Sequence, residues 1–382
     1  MTKTIFTAMA LAVIAGGCAK DHEINVTNDS DLDRTAEIVE VDTALIASFG
    51  YDKGFRILDS RGEEIPYQFT YDGKVIFPAT VAKNSTAAYK IVAGTPAATD
   101  TLVYGRIVPE RKDDMAWEND KSAYRAYGPA LQESGERAFG YDIWTKSVDY
   151  PILNQRYHDD IVNKISFHED HGNGMDVYAV GPTLGGGTAA LLDAEGEIVY
   201  PYCFKEYEVL DNGPLRFTVR LVYGGETVDG DSTVVETRVI SLDRGSYLNK
   251  TIVSYDGLSD KKRVAPGIVV HKQNPEGYVF DKDRGFMAYS DLTENAENGN
   301  GTIFVGIVSP ESEAFEYKAL AEPAGDAIGH IFAPKSYGNG EQFTYWWGSG
   351  WSKADIADEK AWSDLLGNYA LRLKSPLKVS VK

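Results

Sequence analysis

The chain has 382 residues, 43% of them hydrophobic, with 57 Asp and Glu against 38 Lys and Arg and a formal net charge of −19. That balance excludes a nucleic-acid binder, because phosphate recognition needs clustered Lys and Arg that this sequence lacks, and it opposes docking on anionic lipid. The length suffices for a large core, and beyond the N-terminal segment no run reaches the roughly 18 apolar residues of a membrane helix.

The first predicted element is an export signal. Lys3 supplies a positive start, 5–14 is an apolar stretch too short to span a bilayer, and Ala15-Gly16-Gly17-Cys18 reads as a lipobox. The mature chain is therefore expected to begin at a lipidated Cys18 and to touch the membrane only through that lipid; an ordinary secretory cleavage nearby is the alternative. Cys203, the other cysteine, is then left without an internal disulfide partner.

Short β-rich runs follow at 35–41, 55–58, 65–71, 74–77 and 87–91, separated by turn signals such as Ser60-Arg61-Gly62 and Asp72-Gly73. They predict a small N-terminal β-domain over 24–98, closed by a small, polar connector at 93–101. Longer strands are predicted after it. The run 216–223 alternates Phe217, Val219, Leu221 and Tyr223 against Arg216, Thr218, Arg220 and Val222, the period of a half-buried strand. Further runs at 232–242, 248–255, 277–289 and 302–308 extend the series. The clearest helix is 355–369, where Trp362, Leu365, Leu366 and Tyr369 recur at helical spacing. The expected fold is all-β, with the N-terminal domain followed over 99–382 by a large antiparallel β-supersandwich with few helices.

Four clusters carry candidate chemistry. On a strand, 111–120 places Asp114, Ala116, Glu118 and Asp120 on one face and Met115, Trp117 and Asn119 on the other. Crowded carboxylates raise one another's pKa and can divide acid and base roles in glycan cleavage; a charged, solvated strand edge is the competing reading. The segment 167–176 holds His168 and His171 beside Glu169, Asp170 and Asp176, able to serve as acid and base or to ligate an ion, although a polar turn explains it equally. The glycine-rich 181–188 lacks the Lys of a phosphate loop and reads as a tight bend or close backbone approach. In 343–353, Trp346, Trp347 and Trp351 stand among glycines, and flat aromatic faces stack on sugars as readily as they fill a core. His271 and His330 lie on predicted strands, where a structural histidine is the commoner outcome.

Asp113 to Asp120 with Tyr127-Gly128-Pro129, then Asp142-Ile143-Trp144, His171-Gly172-Asn173-Gly174 and Thr344 to Lys353, together resemble the family called domain of unknown function 4861, exported Bacteroidetes proteins without a settled activity. The Lys20-Asp21-His22-Glu23 segment is similar to the signal that sends such lipoproteins to the cell surface. The resemblance implies an outer-membrane lipoprotein of a glycan-utilisation system, on the cell surface or facing the periplasm, with a fold similar to galactose mutarotases and polysaccharide lyases. The leading expectation is an enzyme cleaving an acidic or decorated plant poly- or oligosaccharide. For β-elimination the base is sought among His171, His271, Tyr127 and Tyr345, and the carboxylate neutraliser in Arg125 or Arg156. For hydrolysis, two of Glu118, Asp120, Asp113 and Asp114 would pair. The alternatives are a non-catalytic glycan-binding lipoprotein stacking sugars on Trp346, Trp347 and Trp351, with Trp117 as a further contact, and a sugar mutarotase or epimerase. The sequence specifies no cofactor; calcium is the ion the many carboxylates would accept, although no loop has its ligand spacing.

Overall fold

Apolar residues at period two run through most of the chain, and about 47% of it is strand against 12% helix, arranged in antiparallel sheets. The protein is all-β, as its sequence predicts. The computed structural model describes residues 22–51 and 54–382, so the export segment, its lipobox and Cys18 lie outside the described residues.

Two small sheets form first. His22–Asn28, Phe55–Leu58, Glu64–Ile65 and Ser85–Ala93 make one, Arg34–Asp42, Gln68–Phe69 and Lys74–Val81 the other, and Ile24, Ile57, Phe77 and Ile91 are buried between them. The C-terminal strand Lys378–Val381 returns to this unit, pairing antiparallel with His22–Asn28 so that Ile24 faces Val381. Its Val379 and Val381 pack on the same core.

The main body is a sandwich. Its larger sheet has eight strands in the order Glu206–Asn212, Arg216–Val228, Asp231–Asp243, Leu248–Asp256, Phe343–Trp351, Ile303–Val308, Phe286–Asp291 and Tyr278–Asp281. The predicted alternation holds: Phe217, Val219, Leu221 and Tyr223 all point inward. The predicted run 277–289 is interrupted where the Gly285 amide donates to the Asp281 carbonyl at 2.8 Å, closing a hairpin turn. Opposite lie a six-stranded sheet containing Gly186–Leu192, Lys262–His271 and Ala327–Phe332, and a four-stranded sheet of Tyr104–Val108, Asp114–Glu118, Ala123–Ala126 and Asp142–Trp144. One core unites all three, with Trp117, Tyr124, Phe217, Val269 and Trp347 among its members.

The predicted helix forms as Glu359–Lys374. It starts four residues later than the predicted 355 because the Asp358 carboxylate caps it, accepting the Ala361 amide at 2.8 Å. Trp362, Leu366 and Ala370 seat it on Phe286, Phe304 and Val308, on the outer face of the eight-stranded sheet. Between this helix, the N-terminal sandwich and the sheet runs a cleft of about 810 Å³. Among the described residues no helix is long and apolar enough to cross a membrane.

Candidate active site

The pleat of the four-stranded sheet sorts its side chains. Met115, Trp117, Tyr124 and Ile143 enter the main core, while Ala116, Ala123 and Trp144 join a separate cluster with Leu153, Tyr157 and Phe167. The polar residues Asp114, Glu118, Arg125 and Asp142 share that second face and are all buried. A cap formed by the helix Leu153–His158 and the loop to Asp176 covers them.

Arg125 is the centre of this face. Its Nη2 pairs with Asp142 and lies 3.1 Å from Asp176 Oδ2, and its Nη1 is 3.7 Å from Asp114 Oδ2. The guanidinium sits over the rings of Tyr127, at 4.9 Å, and Trp144, at 5.2 Å. Three carboxylates around one cation cannot all be compensated. Burial pushes the Asp114 carboxyl up to about 6 against the pull of Arg125, and burial with the neighbouring Asp142 charge raises Asp176 well above the carboxylate range. Neither Asp114 oxygen makes a hydrogen bond of ordinary length.

The four acids sought for hydrolysis do not come together. Glu118 receives Lys146 Nζ at 2.7 Å and the amides of Ile152 and Leu153 at 2.8 and 2.9 Å, so it closes the start of the cap helix and both its oxygens are occupied. Asp120 lies beyond the strand end and accepts the Gly245 amide at 2.7 Å. Asp113 sits in a left-handed turn with φ of 60°. The strand predicted for 111–120 ends at Glu118, which is why its last acid leaves the common face.

His171 and Arg156 share a cavity. Both line a cavity of about 200 Å³ in the cap, together with Gln155, Ser166 and Asn173. Arg156 is buried; its Nη2 donates to the carbonyls of Thr145 at 2.8 Å and Asn173 at 2.5 Å, while Nη1 has no partner. Burial lowers its pKa to about 10. The exposed His171 has Nε2 2.9 Å from the Ser166 carbonyl, which can only accept, so the neutral ring carries its proton there and leaves the Nδ1 lone pair free. Gly174 makes this geometry possible: at φ of 96° its absent Cβ would lie 2.2 Å from the Thr145 oxygen. Asp170 braces the turn by accepting the amides of Gly172 and Gly174 at 2.9 and 3.0 Å.

The remaining candidates are scattered. His271 is buried and pairs through Nδ1 with Asp291 at 2.5 Å, edge-on to Tyr178, whose buried hydroxyl has no partner. His330 is structural: burial depresses its pKa to about 3, and its Nε2 accepts the Leu184 amide at 3.2 Å. Tyr345 is wholly buried in the sandwich, as are Trp117 and Trp347, with Trp351 nearly so; they are core residues rather than a base and a sugar platform. Trp347 stacks on Tyr141 at 4.2 Å and donates to the Thr251 hydroxyl at 2.8 Å. Trp346 alone of the three predicted stacking indoles points outward, into the large cleft. Asp142, Lys146, Tyr178 and Asp291 escaped the sequence reading as site residues, while Asp176 entered it only as a member of the 167–176 cluster. Asp142 falls within a motif quoted above and Asp176 within the 167–176 cluster, but their convergence on Arg125 depends on strand pairing. Among the described residues no group of three or more His, Cys, Asp or Glu is placed to hold a metal ion; at the densest acid cluster Arg125 supplies the positive charge.

Residues 26–379 match the family described as Domain of unknown function (DUF4861). The chain belongs to that family. The DUF4861 protein is 28% identical over 399 residues to "Uncharacterized protein P7" of Formosa agariphila, with 98% of each chain covered. Two solved structures are similar at lower levels: an alpha-mannosidase from Enterococcus faecalis, with TM-score 0.48 and 11% identity, and a protein in glycosyl hydrolase family 38 from the same organism, with TM-score 0.46 and 11% identity. Each alignment covers 95% of this chain but only 46% and 47% of those structures, so the chain spans under half their length.

Proposed function

We propose that this DUF4861 protein is a carbohydrate-active enzyme that cleaves an acidic glycan by β-elimination in the cap cavity. The observation that supports this reading is that His171, whose Nε2 faces the Ser166 carbonyl and leaves Nδ1 without a partner, and Arg156, whose Nη1 is unpartnered, line one cavity. Elimination at a uronate needs that pair of groups. The cation neutralises the carboxylate and so acidifies the C5 proton; Nδ1 takes that proton, the C5–H electron pair forms the C4=C5 double bond, and the C4–O4 bond breaks. The leaving oxygen takes a proton from water or the imidazolium. Hydrolysis by paired carboxylates has less support, since Glu118, Asp120, Asp113 and Asp114 do not face one another. A lipid on Cys18 would hold this activity at the outer membrane.

The test is incubation of the protein, without its lipid, with pectin, alginate and neutral plant polysaccharides, with and without calcium. Ultraviolet absorbance of an unsaturated uronate is expected on an acidic substrate, and His171→Ala should reduce its rate by about 10²–10⁴-fold. Reducing ends without absorbance, or full activity in His171→Ala, would sink the proposal.

A further inference from the structure

The eight-stranded sheet carries on its outer face a straight row of side chains across four neighbouring strands. Thr218 stands opposite Ser241, Ser241 opposite Lys250, and Lys250 opposite Trp346 in antiparallel register. All four line the cleft of about 810 Å³. Thr218 is fully buried at the inner end, so Ser241, Lys250 and Trp346 form the reachable part; with strands about 4.8 Å apart they span roughly 10 Å, longer than a single sugar ring. Opposed residues share a face with Cβ atoms about 5 Å apart, so Lys250 and Trp346 are lateral neighbours on the outer face.

The charges of the cleft select the ligand. Its acids are already engaged: Glu37 with Arg34, Glu40 and Asp243 with Arg216, Asp364 with Lys360, and Asp72 with the Thr70 hydroxyl. Two of its cations, Lys250 and Arg244, have no side-chain partner among the described residues. Only Asp72 among these acids lacks a cationic partner, and with its lysine and arginine unclaimed the cleft attracts an anion. Tyr71, 52% exposed, stands across the cleft as a second aromatic surface.

We propose that the Ser241–Lys250–Trp346 row is a binding site for an oligouronate, separate from the cap cavity, with the indole stacked on a pyranose C–H face and the ammonium on the adjacent carboxylate. The two pockets have no lining residue in common. The site holds the polymer and does no chemistry.

Binding is measured by calorimetry with oligouronates prepared from pectin and alginate and with the same oligosaccharides after carboxyl reduction. The His171→Ala protein is the host, so that cleavage does not interfere. Lys250 is exposed and unpartnered, and Lys250→Gln therefore tests the site without threatening the fold; it should weaken binding about tenfold, the loss of one charged hydrogen bond. Trp346→Phe should weaken it less, and carboxyl-reduced ligand should not bind. Undiminished affinity in Lys250→Gln, equal affinity for the reduced ligand, or no binding of any oligouronate would each overturn the site. Binding that depends on Lys250, in a protein that yields no unsaturated product with His171 intact, would remove the elimination reading and leave this site standing.

Discussion

Asp114 shows what one buried carboxyl costs and when. Its ordinary value of 3.8 rises to about 6 because burial disfavours the charge more than Arg125, at 3.7 Å, favours it. Between about pH 4 and 6 the folded chain keeps a proton that the unfolded chain has released, so stability falls as pH rises through that window. Asn mimics the neutral acid, and Arg125 keeps Asp142 and Asp176 as partners. Asp114→Asn should therefore exceed the parent protein in stability at neutral pH by up to about 3 kcal/mol, and the difference should vanish near pH 4. Urea midpoints at the two pH values measure this. An equal change at both would mean that Asp114 is ionised throughout. Glu118 is the contrasting case, a carboxylate at the same depth whose oxygens are satisfied by Lys146 and two amides.

At the scale of elements, period two made much of the fold legible and left the site only half so. The alternation in 216–223 told both the strand and its inward face, because one face was entirely apolar. In Phe343–Trp351 both faces carry indoles, and alternation separates Trp346 from Trp347 and Trp351 without saying which side is interior. The neighbouring glycines settle it only in three dimensions: a Cβ at Gly350 would lie 2.5 Å from Ile356, and one at Gly348 1.9 Å from the Tyr247 carbonyl, so these glycines admit packing partners rather than sugars. The acid-rich face of Asp114–Glu118 was likewise readable, but its partners Arg125, Asp142, Lys146 and Asp176 arrive through strand pairing and a cap that local pattern does not encode. His171 and Arg156 were each legible as candidates, and only the fold of the cap brings them to one cavity. The glycine-rich 181–188 serves close approach: at Gly187, with φ of 133°, a Cβ would stand 2.7 Å from that of Trp347. Gly187→Ala should cost about 1–3 kcal/mol through overpacking. Denaturation within about 0.5 kcal/mol of the parent would show that the strand can shift away.

Across the whole molecule, the strand that closes the N-terminal sandwich comes from the opposite end of the sequence. Lys378–Val381 pairs with His22–Asn28, and the helix Glu359–Lys374 leading to it is fixed to the eight-stranded sheet, so the small unit is tied to the main body on both sides of the cleft. Gln68 adds a second tie by accepting the Leu215 and Arg216 amides at 2.9 Å, and Arg34 a third through the Ser375 carbonyl at 2.7 Å. Ending the chain after Pro376 removes Leu377, Val379 and Val381 from the small core, a loss on the order of 3 kcal/mol for three partly buried side chains, and bares the edge of His22–Asn28. The expected result is a lower unfolding transition, with protease cutting confined to 22–93, while the main sandwich melts as before. The consequence for function differs between the two pockets. Thr35, Glu37 and Tyr71 wall the cleft from the N-terminal unit, whereas nothing lining the cap cavity comes from it. The truncated protein should therefore bind oligouronates more weakly yet retain its elimination rate on short substrates; loss of both together would mean that the two sites depend on one cooperative fold.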